Sequence, residues 1–532
     1  MNPRKWTLGR IGLWMVSGAA LSLLCLAPTA RAETTVRMVP HADLKNIDPI
    51  WTTAYISRNH GYMVWDTLFA LNEKLEPQPQ MVDSWKVSSN GLTYTFTLRE
   101  GLRWSDGKPV TAEDCVASIQ RWGKRDGMGQ KLMDVVKGLH VVNARTFRME
   151  LKERYGLVLD SLGKLSSNVP FMMPKAYAEV DPFQQVPKES IGSGPFIFKV
   201  DEWVPGSKVV YVKNPLYKPR SEPPSLAAGG KVVKVDRVEW DYIPDQQTAV
   251  NALLTGEVDY FEQPAHDLLP LMDGKPGIRI ERIGLGEQGW LRVNHLYPPF
   301  NNVKARQALE WMMDQQAYMQ AAIGNPKYWQ TCAALFVCGT PYASDVGAEP
   351  ILHHNIAKAK ELLKESGYKG EPVVLMDPTD IPLSHNMTLV TAQLMRQIGL
   401  NVEVQAMDWS TLTSRRAKQD PPAQGGWNAF HTWWSAADVF TPLNNIGVSG
   451  GCKEKAWFGW PCDAKLEKMR GEWARATSFA KRKQLADEIQ KRAYEVVTYI
   501  PTGQWFLARA YSSKLDGVII APIPFMWNIS KH

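Results

Sequence analysis

The sequence predicts an α/β protein with mixed sheets that is divided into two lobes. The chain has 532 residues, which exceeds the size that one hydrophobic core usually organises. Residues 231–262 and 371–407 each read as strand, helix and strand, the crossover unit of parallel and mixed sheets. Residues 498–532 are β-rich, like the opening of the chain. We therefore expect the chain to leave its first lobe and return to it at the end.

The first 32 residues have the pattern of a secretory signal peptide. A basic start precedes an apolar run, and Ala30-Arg31-Ala32 forms an A-x-A site that predicts cleavage before Glu33. Leu24 before Cys25 disfavours lipid anchoring. Residues 1–32 hold four basic and no acidic residues, so cleavage lowers the net charge from +7 to +3. A nearly neutral, exported chain is not expected to bind nucleic acid.

The first half of the chain reads as strands and hairpins with added helices. A strand is expected at 34–40, with hairpins at 84–104, 140–151 and 191–217. The stretch WSDGKPVTAEDCV begins at residue 104 and could suggest a reactive site. Its Asp-Gly pair is typical of a tight turn, and Thr111 with Asp114 predicts a capping box opening a helix at 112–122.

The second half repeats strand and helix over a longer span. One long helix is predicted at 301–323, a second between Asn355 as its cap and Gly367 as its end, and a final one at 476–497. The segments GWLRVNH (289–295) and TYIPTGQWF (498–506) are the predicted crossing strands between the lobes.

Two pairs of cysteines predict local disulfides in an exported protein. Cys332 lies near Cys338, and Cys452 lies near Cys462. A metal site with His353 and His354 is the alternative, but the cysteine spacings do not match a zinc knuckle. Cys115 is expected to be a buried free thiol.

No motif predicts catalysis or a cofactor. GLGEQG (284–289) fits the dinucleotide pattern, but a strand rather than a helix is expected after it. GVSGG (447–451) fits the serine-hydrolase pattern without the strand and helix that a nucleophile elbow needs. We therefore predict no catalytic residue, no metal and no cofactor.

Aromatic residues are the most informative feature of the composition. The chain has 21 Trp, and several lie in polar, irregular stretches. Flat apolar walls with a few placed charges suit a cleft that binds a polar organic solute. Candidate ligand-binding residues are Trp290, Arg292, Trp409, Trp433, Trp434, Asp438 and Trp505.

Six blocks of the sequence resemble the family-5 extracellular solute-binding proteins of ABC transporters, in family order. They are SWKVSSNGLTYTFTLREGLRWSDGKPVTAEDCVASIQRW, IGSGPFIFKV with VYVKNPLY, LLTGEVDYFEQP, PFNNVKARQAL, AKAKELLKESGY and YIPTGQWF. The family includes dipeptide-, oligopeptide-, nickel- and opine-binding proteins. The resemblance covers residues 34–532.

The resemblance implies a two-lobed periplasmic-binding-protein fold of the large type, with an extra subdomain and the ligand cleft between the lobes. It implies a monomeric receptor that captures a peptide or similar solute and delivers it to ABC permease subunits in the inner membrane. The implied organisation is a signal peptide (1–32), lobe I (33–76, 190–291 and 504–532), the extra subdomain (77–189) and lobe II (292–503).

One departure from the family pattern leaves the ligand open. Peptide binders usually carry an Asp about three residues after a Trp, where it anchors the peptide's amino group. Here the run is TWWSAADVFTPLNN, and Ala436 or Ala437 falls at that place, with Asp438 close by. If Asp438 takes the role, a peptide is expected; otherwise the ligand is an opine, a sugar conjugate or a metal chelate. A chemosensory receptor and a secreted hydrolase are the further alternatives.

Overall fold

The computed structural model describes residues 33–187, 191–476 and 478–532. The predicted signal peptide lies outside the described residues. Residues 34–532 form one compact unit. In the described part of the chain, no helix is long and apolar enough to cross a membrane.

The strands are given in chain order. They are β1 (Thr35–Val39), β2 (Phe69–Leu71), β3 (Pro77–Pro79), β4 (Val82–Val87), β5 (Thr93–Leu98), β6 (Val136–Asn143), β7 (Thr146–Leu151), β8 (Phe196–Phe198), β9 (Lys208–Lys213), β10 (Arg237–Asp241), β11 (Tyr260–Phe261), β12 (Ile278–Arg282), β13 (Glu287–Val293), β14 (Trp329–Gln330), β15 (Pro372–Pro378), β16 (Asn401–Met407), β17 (Ala429–Ser435), β18 (Ile500–Trp505), β19 (Ala508–Ser512), β20 (Leu515–Asp516) and β21 (Ser530–Lys531).

The α-helices follow in the same order. They are α1 (Tyr55–Val64), α2 (Ala112–Arg125), α3 (Gly127–Val135), α4 (Val158–Leu162), α5 (Lys175–Ala178), α6 (Gln246–Thr255), α7 (Val303–Trp311), α8 (Gln315–Ala322), α9 (Glu349–Leu352), α10 (Ile356–Glu365), α11 (Pro382–Ile398), α12 (Trp409–Arg415), α13 (Ala436–Val439), α14 (Ala464–Arg475) and α15 (Phe479–Val496).

Two mixed sheets form the centres of two lobes. The first lobe contains a seven-stranded sheet in the order β12-β19-β11-β1-β10-β9-β8, in which β1 is parallel to both of its neighbours. The second lobe contains a six-stranded sheet in the order β14-β18-β13-β17-β15-β16, with β15 parallel to β16 and β17. A separate antiparallel sheet, β4-β5-β7-β6, lies in the segment between β3 and β8.

Two short connections join the lobes side by side. The chain leaves the first sheet after β12 and enters the second at β13, and it returns from β18 to β19. The backbone amide of Ile283 donates to the carbonyl oxygen of Leu507 at 2.8 Å, which ties the connections together. The predicted crossing strands are thus β13 and β18 within the second sheet, while residues 283–286 and 506–507 make the connection.

Local signals in the sequence account for many of the helix ends. The side chain of Thr111 accepts from the amide of Asp114 and the Asp114 carboxylate accepts from the amide of Thr111, so the predicted capping box is confirmed. Asn355 caps α10, and Gly367 follows that helix at φ +77°. Cys115 is a buried free thiol.

The prediction of a single long helix at 301–323 is wrong. The structure divides it into α7 and α8, because Asp314 interrupts the helix and its side chain caps α8 by accepting from the amide of Ala317. A residue that bonds its own neighbouring backbone competes with helix continuation. The apolar periodicity on both sides concealed the break.

Ion pairs join the second lobe to the rest of the chain. Lys131 of α3 contacts Glu467 of α14 at 2.7 Å, and Arg475 at the end of α14 contacts Glu153 at 2.6 Å. Lys45, which follows β1 in the first lobe, forms an ion pair at 3.0 Å with Asp408, which follows β16 in the second lobe. The second lobe therefore contacts both the first lobe and the segment that carries the separate antiparallel sheet.

Candidate functional site

A cleft lies between the two lobes next to their connections. It contains a cavity of about 440 Å³ whose wall includes His41 and His266 from the first lobe, Asn386 and Trp433 from the second, and Trp505 at the connection. A second cavity of about 20 Å³, roughly the size of one water, shares His41 and Trp433 with the first. The wall of the cleft thus comes from both lobes, as expected for a hinged site.

Tyr55 and Asp438 meet across the cleft. The hydroxyl of Tyr55, at the start of α1, donates to Oδ2 of Asp438 at 2.8 Å and accepts from the amide of Ser435 at 2.6 Å. Asp438 is 1 % exposed, and its Oδ1 accepts no hydrogen bond of good geometry from the described residues, although the hydroxyl of Ser166 lies close to the carboxylate. Burial raises the pKa of Asp438, against the opposing charges of Lys164 and Arg58. A buried carboxylate oxygen without a donor is suited to accept a hydrogen bond from a solute.

Glu287 places a second carboxyl group at the same end of the second sheet. It begins β13 and lies opposite Ser435 in the strand register. It is 2 % exposed, and its Oε2 has no partner in the described part of the chain. Burial raises its pKa to about 8, opposed by Arg58 and assisted by Asp438. Near neutral pH this group is therefore largely protonated and can donate as well as accept.

The first lobe contributes a hydrogen-bonded group of charged residues. Glu262 accepts from the amide of His41 and from the side chain of Asn59, and its Oε2 is 2.9 Å from Nδ1 of His41. Arg58 lies over the Tyr55 ring at 4.0 Å and donates to Ser166 at 2.6 Å. Burial would raise the pKa of Glu262, but His41 and Arg509 lower it below its ordinary value. His41, which lines both cavities, is thereby held in place by a buried carboxyl group of the first lobe.

Aromatic rings form the apolar part of the cleft wall. The rings of Trp409 and Trp433 lie 5.0 Å apart, and Trp434 meets Tyr55 edge to face at 6.2 Å. Trp505 lines the larger cavity with Trp433. Four predicted aromatic residues, Trp409, Trp433, Trp434 and Trp505, therefore line the two cavities.

Trp290 and Arg292 lie inside the second lobe instead. Trp290 is stacked on Tyr499 at 3.9 Å and donates to Gln288 at 2.8 Å. The guanidinium of Arg292 donates to four backbone carbonyl oxygens, those of Phe458, Gly447, Thr498 and Trp457. Neither residue lines the two cavities. Asp438 does not line them either, but it is hydrogen-bonded to Tyr55 of the first lobe, which lines the smaller one, whereas Trp290 reaches that cavity only through its contact with Trp434 at 5.2 Å.

Several cleft residues carried no signal in the sequence. Tyr55, Arg58, Glu262, Glu287 and Arg416 stand in unremarkable local patterns, and the hydrogen bond between Tyr55 and Asp438 joins residues 383 positions apart. Only the order of blocks shared with a family could have pointed to the loops and strand ends that carry them.

The disulfides lie on loops of the second lobe. Cys332 is bonded to Cys338, and Cys452 is bonded to Cys462. In the described ranges, no group of three or more His, Cys, Asp or Glu side chains is arranged to hold a metal ion.

Two α/β lobes joined by two short connections, with a polar and aromatic cleft between them, define a hinged solute-binding protein. The chain belongs to the bacterial extracellular solute-binding proteins of family 5, whose profile matches residues 76–456. It is 43 % identical to a probable peptide ABC transporter periplasmic-binding protein of Sinorhizobium fredii, over 97 % of this chain and 98 % of that one.

Solved structures share the fold at lower identity. A dipeptide-binding protein from Pseudoalteromonas sp. SM9913 in complex with Met-Leu has a TM-score of 0.77 at 21 % identity, covering 94 % of this chain and 100 % of that one. AgaA from A. tumefaciens in complex with agropinic acid has a TM-score of 0.77 at 19 % identity, covering 94 % and 99 %. The two-lobed periplasmic-binding-protein fold predicted from the sequence is confirmed.

Proposed function

We propose that the protein is the periplasmic substrate-binding component of an ABC importer. It captures a peptide or peptide-like solute between its lobes and delivers it to permease subunits in the inner membrane. It acts as a monomer after cleavage of residues 1–32, and no reaction on the solute is part of this function. Its membership of the family and the name of its 43 % identical relative support this role.

The observation that carries the proposal is the buried carboxylate of Asp438. Its Oδ2 is held by Tyr55 from the opposite lobe, and its Oδ1 accepts from no described residue. An ammonium group supplies both the charge and the donors that such an oxygen needs. Asp438 therefore takes the place of the anchoring Asp that the run Ala436-Ala437 lacks, and it binds the amino group of the solute.

Capture follows from contacts with both lobes. Tyr55 and Arg58 belong to the first lobe, whereas Asp438, Glu287 and Trp433 belong to the second. A solute that touches both sets favours the closed arrangement by its difference in affinity between the open and closed states. The closed form is then the one that a permease recognises.

The predicted aromatic residues have two roles in this account. Trp409, Trp433, Trp434 and Trp505 pack against apolar parts of the solute from the cleft wall. Trp290 and Arg292 support that wall from inside the second lobe, through Tyr499 and the backbone carbonyls.

The test is a binding screen with a library of dipeptides to pentapeptides and their N-acetylated forms, read by thermal shift and tryptophan fluorescence. Free peptides should bind, whereas N-acetylated peptides and the Asp438→Asn variant should lose about 30-fold or more in affinity, because a buried charge pair is removed. Glu310→Gln is the matched control, since Glu310 is a carboxyl group, 2 % exposed, in α7 of the same lobe, and the charged group that acts on it is Arg306 rather than a residue of the first lobe. Equal binding of acetylated and free peptides, or no peptide binding, would contradict the proposal.

A further inference from the structure

The segment between β3 and β8 is fixed to the first lobe by fully buried contacts. We call its described residues, 80–187 and 191–195, the intervening segment. Both Nη atoms of Arg121 in α2 donate to the buried carboxylate of Asp48. The side-chain amide of Asn168 donates to three carbonyl oxygens that precede α1, those of Pro49, Ile50 and Thr52. Breaking such contacts would leave buried polar groups unpaired, so the intervening segment moves with the first lobe.

The same segment meets the second lobe through ion pairs beside a cavity. Lys131 of α3 contacts Glu467 of α14 at 2.7 Å, and their side chains are only 17 % and 20 % exposed. A second pair, between Arg475 and Glu153, is about half exposed. The cavity beside them measures about 270 Å³, and Lys131, Glu467 and Arg475 line it. Polar surfaces that are not packed into one core can separate and meet again.

The two carboxylate oxygens of Glu467 serve different parts of the protein. Its Oε1 accepts from the amide of Gly450, the hydroxyl of Ser449 and Nη1 of Arg470, all in the second lobe. Its Oε2 contacts Lys131. Burial would raise the pKa of Glu467, but Arg470 and Lys131 lower it to about 2. The second lobe thus orients an ionised carboxylate and leaves one oxygen for the intervening segment.

The ion pair between Lys131 and Glu467 depends on how the lobes are arranged. The chain connects the lobes at residues 283–286 and 506–507, and the intervening segment belongs with the first lobe. A rotation about the connections therefore changes the distance between α3 and α14. In the present arrangement the pair forms together with the contact across the cleft from the amide of Ser435 to the hydroxyl of Tyr55.

We propose that the intervening segment is a second closing surface of the protein, on which Lys131 stabilises the closed lobes through its ion pair with Glu467. This rests on the proposed function, because closing of the lobes is the step that captures the solute. Neither residue lines the two cavities of the cleft. A contact made only in the closed state raises the affinity for a solute that it does not touch. Lys131 is therefore a positioning residue.

The experiment measures hydrogen exchange at single amides of the protein freed of bound solute. The amide of Ser435 donates to the hydroxyl of Tyr55 in the opposite lobe at 2.6 Å, so opening of the lobes releases it. The amide of Val374 donates to Asn428 within the second lobe at 2.9 Å and reports unfolding of that lobe alone. Opening without unfolding should change exchange at the first amide and leave the second unchanged.

The variants are Lys131→Met, Lys131→Arg and Glu153→Gln. Lys131→Met should speed exchange at Ser435 by about tenfold or more, with no change at Val374. Lys131→Arg keeps the charge and should stay within about threefold of wild type. Glu153→Gln is the matched control, because it breaks the half-exposed pair, and its effect should be less than about fivefold.

Three results would overturn the closing surface. They are unchanged exchange at Ser435 in Lys131→Met, equal acceleration at Ser435 and Val374, and equal effects of Lys131→Met and Glu153→Gln. The first would show that the ion pair does not hold the lobes together. The second would show that Lys131 supports the fold of the second lobe, and the third that any rim charge has the same effect.

Solute affinity separates this inference from the proposed function. With the pooled dipeptide-to-pentapeptide library as the probe, Lys131→Met should bind about tenfold or more weakly than wild type, chiefly through faster dissociation. If no peptide binds wild type but exchange at Ser435 is faster in Lys131→Met, the peptide assignment is overturned and the closing surface is supported. Equal peptide affinity of wild type and Lys131→Met would support the peptide assignment and overturn the closing surface.

Discussion

The interior of the second lobe and its cleft-facing end contain the same kinds of buried polar side chain. The two regions differ in which partners complete the hydrogen bonds of these side chains. In the interior, Arg292 donates to four carbonyl oxygens, and Gln288 accepts from both Trp290 and Tyr499. At the cleft, Asp438 and Glu287 each keep an oxygen without a donor in the described part of the chain. Unpaired buried atoms also occur in the interior, for example Glu310 Oε1 and Thr498 Oγ1, so an unpaired oxygen alone does not mark a binding site. Asp438 differs from them because Tyr55 of the opposite lobe holds its other oxygen.

Among the variants that test this comparison, Arg292→Met is expected to have the largest effect, which is a loss of stability. The substitution leaves several buried carbonyl oxygens without their donor, and each costs roughly 1–3 kcal/mol. We expect the free energy of unfolding to fall by at least about 3 kcal/mol, measured by urea denaturation, with Arg415→Met as the control. Normal stability combined with lost solute binding would instead place Arg292 in the binding site.

The second largest effect concerns Glu287, which should make the stability of the protein depend on pH. An unfolded glutamic acid titrates near its ordinary pKa of about 4.3, whereas burial raises the pKa of Glu287 to about 8 in the folded protein. Between these values the folded state holds a proton that the unfolded state has lost, so stability is greatest below the lower value and falls as pH rises through the higher one.

The slope from this one group is at most about 1.4 kcal/mol per pH unit. Glu287→Gln should flatten the decline of the melting temperature between about pH 4 and pH 8, leaving the contributions of Asp438 and Glu310, whose pKa values burial raises in the same direction. Arg58, Arg509, Glu262 and Asp438 are the charged groups that act on Glu287. Parallel profiles for wild type and Glu287→Gln would show that Glu287 is ionised at neutral pH.

The smallest effect concerns an ion pair between the second lobe and the segment that carries the separate antiparallel sheet. The ion pair between Arg475 and Glu153 is about half exposed on both sides, at 49 % and 45 %, and such pairs contribute roughly 0.2–1 kcal/mol. Replacing both residues by Gln should weaken solute binding less than about fivefold, and the difference from wild type should vanish at high salt. A larger loss of solute affinity that does not depend on salt would mean that this ion pair, rather than the contacts in the cleft, controls the closing of the lobes.

Much of the fold could be predicted from the sequence, because the sequence patterns that specify its helices and strands are local. Caps such as Thr111 with Asp114, and Asn355 with its helix, act within four residues, and the strand-helix-strand order predicted two mixed sheets. The break at Asp314 was missed, since apolar periodicity continues on both sides of it. Order and type of elements are encoded locally, whereas interruptions depend on a single competing side chain.

Only part of the candidate binding site could be predicted from the sequence, and the reason is geometric. Every residue of β13 is buried, so the sequence offers no alternation between polar and apolar that would identify the strand's two faces. The strand pattern therefore cannot predict which of its side chains face the cleft, and Trp290 and Arg292 contact the interior on the face opposite to Glu287. Arg58, Glu262 and Arg416 come from distant segments that meet only in the folded chain.

The most direct test of the central claim is native mass spectrometry of the mature protein purified from the periplasm, comparing wild type with Asp438→Asn and Glu310→Gln. We expect wild type and Glu310→Gln to carry a small solute with a free amino group, and Asp438→Asn to lack it while remaining folded. An adduct of equal abundance on all three proteins, or none on wild type, would contradict the assignment of Asp438 as the anchor of the bound solute.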